Sequence, residues 1–157
     1  VNFLINYIAN SAQSRHMATN NPIPVRPRER VLIIDDEVEF TNLVRQYLER
    51  TGRYEVRCLH RGKGVLDIAR EWEPSIVLLD YMLPDMDGGQ IFQRIKDDAE
   101  LKHMPIILLT GLAKEDTPLE AGVRPRRLTM SKPVDFERLE EAIQILTGLD
   151  EAGAAAA

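Results

Sequence analysis

Ser75-Ile-Val-Leu-Leu-Asp80-Tyr-Met-Leu-Pro84-Asp85-Met-Asp87-Gly88-Gly89 decides how the chain is read. Ile76 to Leu79 is an unbroken apolar run that ends in the carboxylate of Asp80. Four apolar residues bounded by turn signals predict a strand buried on both faces. Pro84, Asp87 and Gly88 then turn the chain into a helix-periodic segment. A charge directly after such a strand lies at the carboxyl edge of the sheet, where open α/β sheets place their sites. Asp80 is therefore the first candidate functional residue.

Upstream, Val31-Leu-Ile-Ile34 repeats the pattern and ends in Asp35-Asp36-Glu37. Phe40, Leu43, Val44, Tyr47 and Leu48 recur at helical spacing, and Gly52 closes that helix. Tyr54 to Leu59 predicts a strand, and Val65, Ile68, Ala69 and Trp72 a helix that stops before Pro74. Downstream, Ile91, Phe92, Ile95 and Ala99 predict a helix starting near Gly88. Ile106 to Leu109 is a further strand, ending in Thr110-Gly111. Pro118, Gly122 and Pro125 leave room for only a short helix between 112 and 126. Leu128 to Ser131 is the last expected strand, before Lys132-Pro133. Asp135 is a suitable N-cap for a helix with Phe136, Leu139, Ile143 and Leu146 on its inner face. Strands alternating with helices predict an α/β fold, a parallel sheet covered on both faces by right-handed crossovers.

At 157 residues the chain is expected to hold one domain, over 30–149, between a leader (1–29) and an Ala/Gly-rich tail (150–157). Residues 1–16 read as vector-derived, with His16-Met17 before a native start, and are left out of the fold. The net charge of −5 gives no support for direct nucleic-acid binding. The single cysteine, Cys58, forms no internal disulfide and fits a cytoplasmic setting. No apolar run approaches the about 20 residues of a membrane span.

Four expected strands thus end in Asp35-Asp36, Asp80, Thr110 and Lys132. Parallel strands share a direction, so these ends meet on one edge. Clustered carboxylates raise one another's pKa. A hard divalent cation relieves this, and Mg²⁺ suits a few oxygen ligands plus water. A carboxylate so placed can attack phosphorus, with Lys132 neutralising a phosphoryl oxygen and the Thr110 hydroxyl donating to another.

With these residues in this order, the chain from about Arg30 to Leu149 resembles a response-regulator receiver domain of two-component signalling. The separations from Asp36 to Asp80, Asp80 to Thr110 and Thr110 to Lys132 are 44, 30 and 22 residues and agree with the family pattern. The resemblance implies a doubly wound, flavodoxin-like five-stranded parallel sheet of order 2-1-3-4-5, with helices on both faces. It implies Asp80 as phosphoacceptor and Asp36, Asp80 and the Met82 backbone carbonyl as direct Mg²⁺ ligands, with Asp35 acting through water. It implies Thr110 as switch hydroxyl, Lys132 as phosphate-pairing lysine, and often a cis Lys132–Pro133 peptide. The implied donor is a sensor histidine kinase or histidine phosphotransfer protein. The implied output is a switched contact with an unidentified downstream protein, and a homodimer is a further contact the family allows.

Two departures stand out. Thr129 occupies the position where the family usually carries an aromatic switch residue. By the resemblance, Met82 and Leu112 occupy the positions that flank the attacking-water path in this family; both are apolar here and neither can orient a water, which implies slow dephosphorylation. Thr129 and the shortened segment before Pro125 keep open an alternative, a receiver-like binding module indifferent to phosphate. A phosphohydrolase would need a second acid at Met82. Asp85 and Asp87 are expected as turn and cap residues, His60 and His103 as surface residues, and Tyr47 and Trp72 as core.

Overall fold

Each apolar run becomes a strand, and each periodic segment outside 112–126 a helix. The computed structural model describes residues 27–111 and 127–148. In chain order these form β1 (Glu29–Ile34), α1 (Val38–Glu49), β2 (Tyr54–Leu59), α2 (Val65–Trp72), β3 (Ile76–Asp80), α3 (Gly88–Asp97), β4 (Ile106–Thr110), β5 (Arg127–Ser131) and α4 (Phe136–Thr147). The strands make one sheet in the order β2-β1-β3-β4-β5, with every pairing parallel. The expected short helix between 112 and 126, together with Leu112, lies outside the described residues.

Alternation along the strands divides the core in two. Val31, Ile33, Leu78, Ile107 and Leu109 pack on one face with Val44 and Leu48 of α1 and Leu139, Ala142, Ile143 and Leu146 of α4. Leu32, Ile34, Val77, Leu79 and Leu108 pack on the other with Val65, Ala69 and Trp72 of α2 and Ile91 and Ile95 of α3. Fully burying one such side chain contributes roughly 1.5–3 kcal/mol. Strands β1, β3 and β4, filled on both faces, therefore fix the frame that carries the polar strand ends.

Two periodicity assignments shift. Leu43 is 57% exposed, although it was expected on the inner face of α1. At about 100° per residue, the buried Thr41, Val44 and Leu48 cluster on one arc, and Leu43 lies well over a right angle from its centre. Ala99 lies outside α3 and is exposed. The Asp98 carboxylate accepts from the N–H groups of Glu100 and Leu101 and starts a new turn there. Tyr47 is only partly buried, with its ring against Phe136, whereas Trp72 is core.

The expected stops are present. Glu73, at φ 48°, ends α2 immediately before Pro74. Asp135 accepts from the N–H groups of Glu137 and Arg138 and caps α4. The Lys132–Pro133 peptide is cis.

Candidate functional site

Sheet register brings the acidic residues together. Ile33 pairs with Leu78 and Ile34 with Leu79, so one further step along both strands sets Asp35 beside Asp80. Neighbouring strands lie about 4.8 Å apart, which forces two carboxylates into one small volume. Both are buried, whereas Asp36, one residue on, is exposed. Carboxylate oxygens of Asp35, Asp36 and Asp80 all lie within 4.8 Å of one another. Asp80 closes β3, and Thr110, also buried, closes β4.

Lys132 enters this edge just past β5. Its backbone N–H donates to the Thr110 carbonyl at 3.0 Å. Its ammonium lies 2.7 Å from Asp35 Oδ2, 2.8 Å from Glu37 Oε1 and 3.4 Å from Asp80 Oδ2. Burial alone would push the Lys132 pKa down, but the ion pairs with Asp35 and Glu37 more than offset this and raise it. Burial pushes the Asp35 carboxyl up, against the Lys132 ammonium and the Glu37 N–H, which both favour its charge. The Lys132–Asp35 contact, at 2.7 Å, is the shortest of the three ion pairs.

The loop after β3 forms the opposite wall. The Met82 N–H donates to Asp80 Oδ1 at 3.3 Å, and Met82 bridges back to Asp87. The Gly88 N–H donates to the Tyr81 carbonyl at 2.8 Å. A Cβ at Gly88 would lie 2.7 Å from Tyr81 Cα and collide with the Asp80 carbonyl. Only glycine permits this return past the end of β3. Asp87 caps α3 by accepting from the Gly89 N–H, as expected.

Asp85 does more than shape its own turn. Its Oδ1 accepts from the Gly62 N–H at 2.8 Å and its Oδ2 from the Lys63 N–H at 2.9 Å. These two bonds hold its pKa below the usual carboxylate range. The Arg61-Gly-Lys-Gly64 segment is thus a loop tied to the site's wall. His60 is exposed, as expected, but its Nδ1 lies 3.0 Å from the Asp35 carbonyl. His103 is exposed too.

Asp35, Asp80 and Lys132 therefore converge, Asp36 joins them at the surface, and Thr110 ends the neighbouring strand. Met82 stands beside Asp80 with its side chain 65% exposed. Thr129 pairs with Leu108 on β5 and is half-buried. Glu37, a direct contact of Lys132, was not singled out from sequence. The two residues are 95 positions apart, and no periodicity or spacing links them.

Comparison with known proteins agrees with this geometry. The family profile described as "Response regulator receiver domain" matches residues 31–144. The polar-differentiation response regulator DivK of Brucella ovis is 32% identical over 118 residues, covering 75% of this chain and 95% of that protein. A CheY-like response regulator receiver domain protein from Methanospirillum hungatei is 27% identical with a TM-score of 0.65, covering 81% of this chain and 99% of the other. The signal receiver domain of a signal transduction histidine kinase from Syntrophus aciditrophicus is 25% identical, with a TM-score of 0.63, over 76% and 91% of the two chains. The sheet order, the gathered strand ends and the profile match agree: the chain belongs to the response regulator receiver domain family of two-component signalling.

Proposed function

We propose that this receiver accepts a phosphoryl group on Asp80 from a phosphohistidine donor, a histidine kinase or phosphotransfer protein, and thereby switches its contact with another protein. The observation that carries this reading is the meeting of Asp80 with Asp35, Asp36 and Lys132 at one sheet edge. An oxygen of the Asp80 carboxylate attacks phosphorus as the phosphorus–nitrogen bond breaks, and the bonding pair leaves with the imidazole. Lys132 stands 3.4 Å from Asp80 Oδ2, where it neutralises an oxygen of the transferred group.

The donor set fits Mg²⁺. It consists of acceptor-only carboxylate oxygens of Asp35, Asp36 and Asp80, all within 4.8 Å of one another and so crowded enough to repel. Asp36, Asp80 and the Met82 backbone carbonyl would hold the ion. Asp35, already committed to Lys132 and to the Glu37 N–H, would act through water. When bound, Mg²⁺ supplies positive charge to the phosphoryl oxygens and the acids. Incubation with Mg²⁺ and acetyl phosphate is expected to add one phosphoryl mass to the wild type and none to Asp80→Asn. No gain in the wild type favours a binding module indifferent to phosphate, the reading that Thr129 supports.

Dephosphorylation is expected to be slow. The Met82 side chain is a thioether, a weak acceptor without a donor, and the expected partner position, Leu112, is aliphatic. Neither aligns a water on phosphorus. The acyl phosphate is expected to outlast minutes in a mass-spectrometric time course; loss within seconds contradicts this.

A further inference from the structure

The Lys132 ammonium has three N–H donors, and three carboxylates surround it: Asp35 at 2.7 Å, Glu37 at 2.8 Å and Asp80 at 3.4 Å. The Phe40 ring lies 4.9 Å away as well. A phosphoryl oxygen arriving on Asp80 needs one of those donors. Asp35 is fully buried and fixed between Lys132 and the Glu37 N–H, so it has nowhere to withdraw. The Glu37 side chain is 64% exposed and can swing into water at small cost.

Glu37 also breaks a local rule. It occupies the N-cap of α1, where Ser, Thr, Asp or Asn would satisfy a free backbone N–H. Its side chain makes no capping hydrogen bond. The helix gains no capping bond from this carboxylate, which reaches across to Lys132 instead. A capping position left uncapped while its side chain reaches a distant ammonium points to a role elsewhere.

We infer that Glu37 is a positioning residue that competes with the incoming phosphoryl group for the Lys132 ammonium and so restrains phosphorylation of Asp80. This rests on the proposed phosphoryl transfer. The contact acts as a latch: Lys132 is held in the resting protein and must leave Glu37 before it can pair with phosphate.

The test compares initial rates of phosphorylation by acetyl phosphate at fixed Mg²⁺. Glu37→Gln keeps the shape and removes the charge. It is expected to raise the rate about two- to fivefold, the range of a solvent-exposed ion pair. In a Lys132→Ala background the same substitution is expected to change nothing. Glu37→Ser, which installs a capping side chain, is expected to give a similar gain while raising the melting temperature, separating the latch from any helix effect. In unphosphorylated protein, the ¹⁵N resonance of the Lys132 ammonium is expected to shift in Glu37→Gln. An unchanged rate, an equal gain without Lys132, or an unmoved resonance overturns the inference while leaving Asp80 as acceptor. Failure of the wild type to gain a phosphoryl group sinks the acceptor reading and the latch with it.

Discussion

Lys132→Ala is expected to slow phosphorylation of Asp80 by about 10²–10³-fold, the loss found when one preorganised donor to a developing charge is removed. No other described cation lies within ion-pair distance of Asp35 or Asp80. The same substitution strips a fully buried carboxylate, Asp35, of its counter-charge. Breaking a buried pair costs about 3–5 kcal/mol at most, and water reaching the vacated space lowers this. The pH dependence has a definite sign. Burial already raises the Asp35 pKa above its unfolded value, and loss of the ammonium raises it further. A raised carboxyl stabilises the fold while protonated, and that contribution is lost as pH rises through the folded pKa. The stability deficit of Lys132→Ala is therefore expected to be largest at neutral pH and to shrink as the solution approaches the ordinary aspartate pKa. Thermal melts of both proteins across that range check this. Adding Asp35→Asn is expected to recover stability at neutral pH but not phosphorylation. A deficit that stays constant with pH contradicts the assignment.

Gly88→Ala is expected to be the most damaging glycine-to-alanine change among the described residues. The added carbon meets backbone rather than flexible side chain: the Asp80 carbonyl, and Tyr81 Cα at 2.7 Å. Backbone at the end of a buried central strand cannot yield without moving Asp80 itself. The cost is expected at the upper end for overpacking, about 3 kcal/mol, which lowers the melting temperature by about 10 °C in a domain of this size. A displacement of about 1 Å at the acceptor lowers the transfer rate by about 10²-fold. Gly111→Ala is the control, because an added carbon there meets nothing within 4 Å. Near-wild-type melting and phosphorylation in Gly88→Ala would show that the loop has slack.

The strands were legible because buried parallel strands are written as plain apolar runs, and Val31–Ile34, Ile76–Leu79 and Ile106–Leu109 are such runs. The acidic edge was legible for a related reason. A strand that ends in a carboxylate places that carboxylate at the sheet's rim, whatever its neighbours do. Helical phase was less legible. Leu43 fits the α1 repeat as well as Val44 does, and only the rotational phase at which α1 meets the sheet, with Thr41, Val44 and Leu48 inward, exposes one and buries the other. Contacts between distant loops were not legible. The bonds from Asp85 to the Gly62 and Lys63 amides, and from Glu37 to Lys132, join segments with no shared pattern. They follow from the assembled sheet order, which local periodicity does not encode.

The Asp85 bonds bear on how the domain meets changes in acidity. Both amides are satisfied by one carboxylate that keeps its charge below the usual range. A depressed carboxyl contributes stability above its unfolded pKa and loses it only as pH falls through the lower, folded value. The suture between the loops at residues 61–64 and 81–87 thus stays closed through every mildly acid swing in which an ordinary histidine would gain a proton. Acid of that strength is expected to leave the two Asp85 bonds in place.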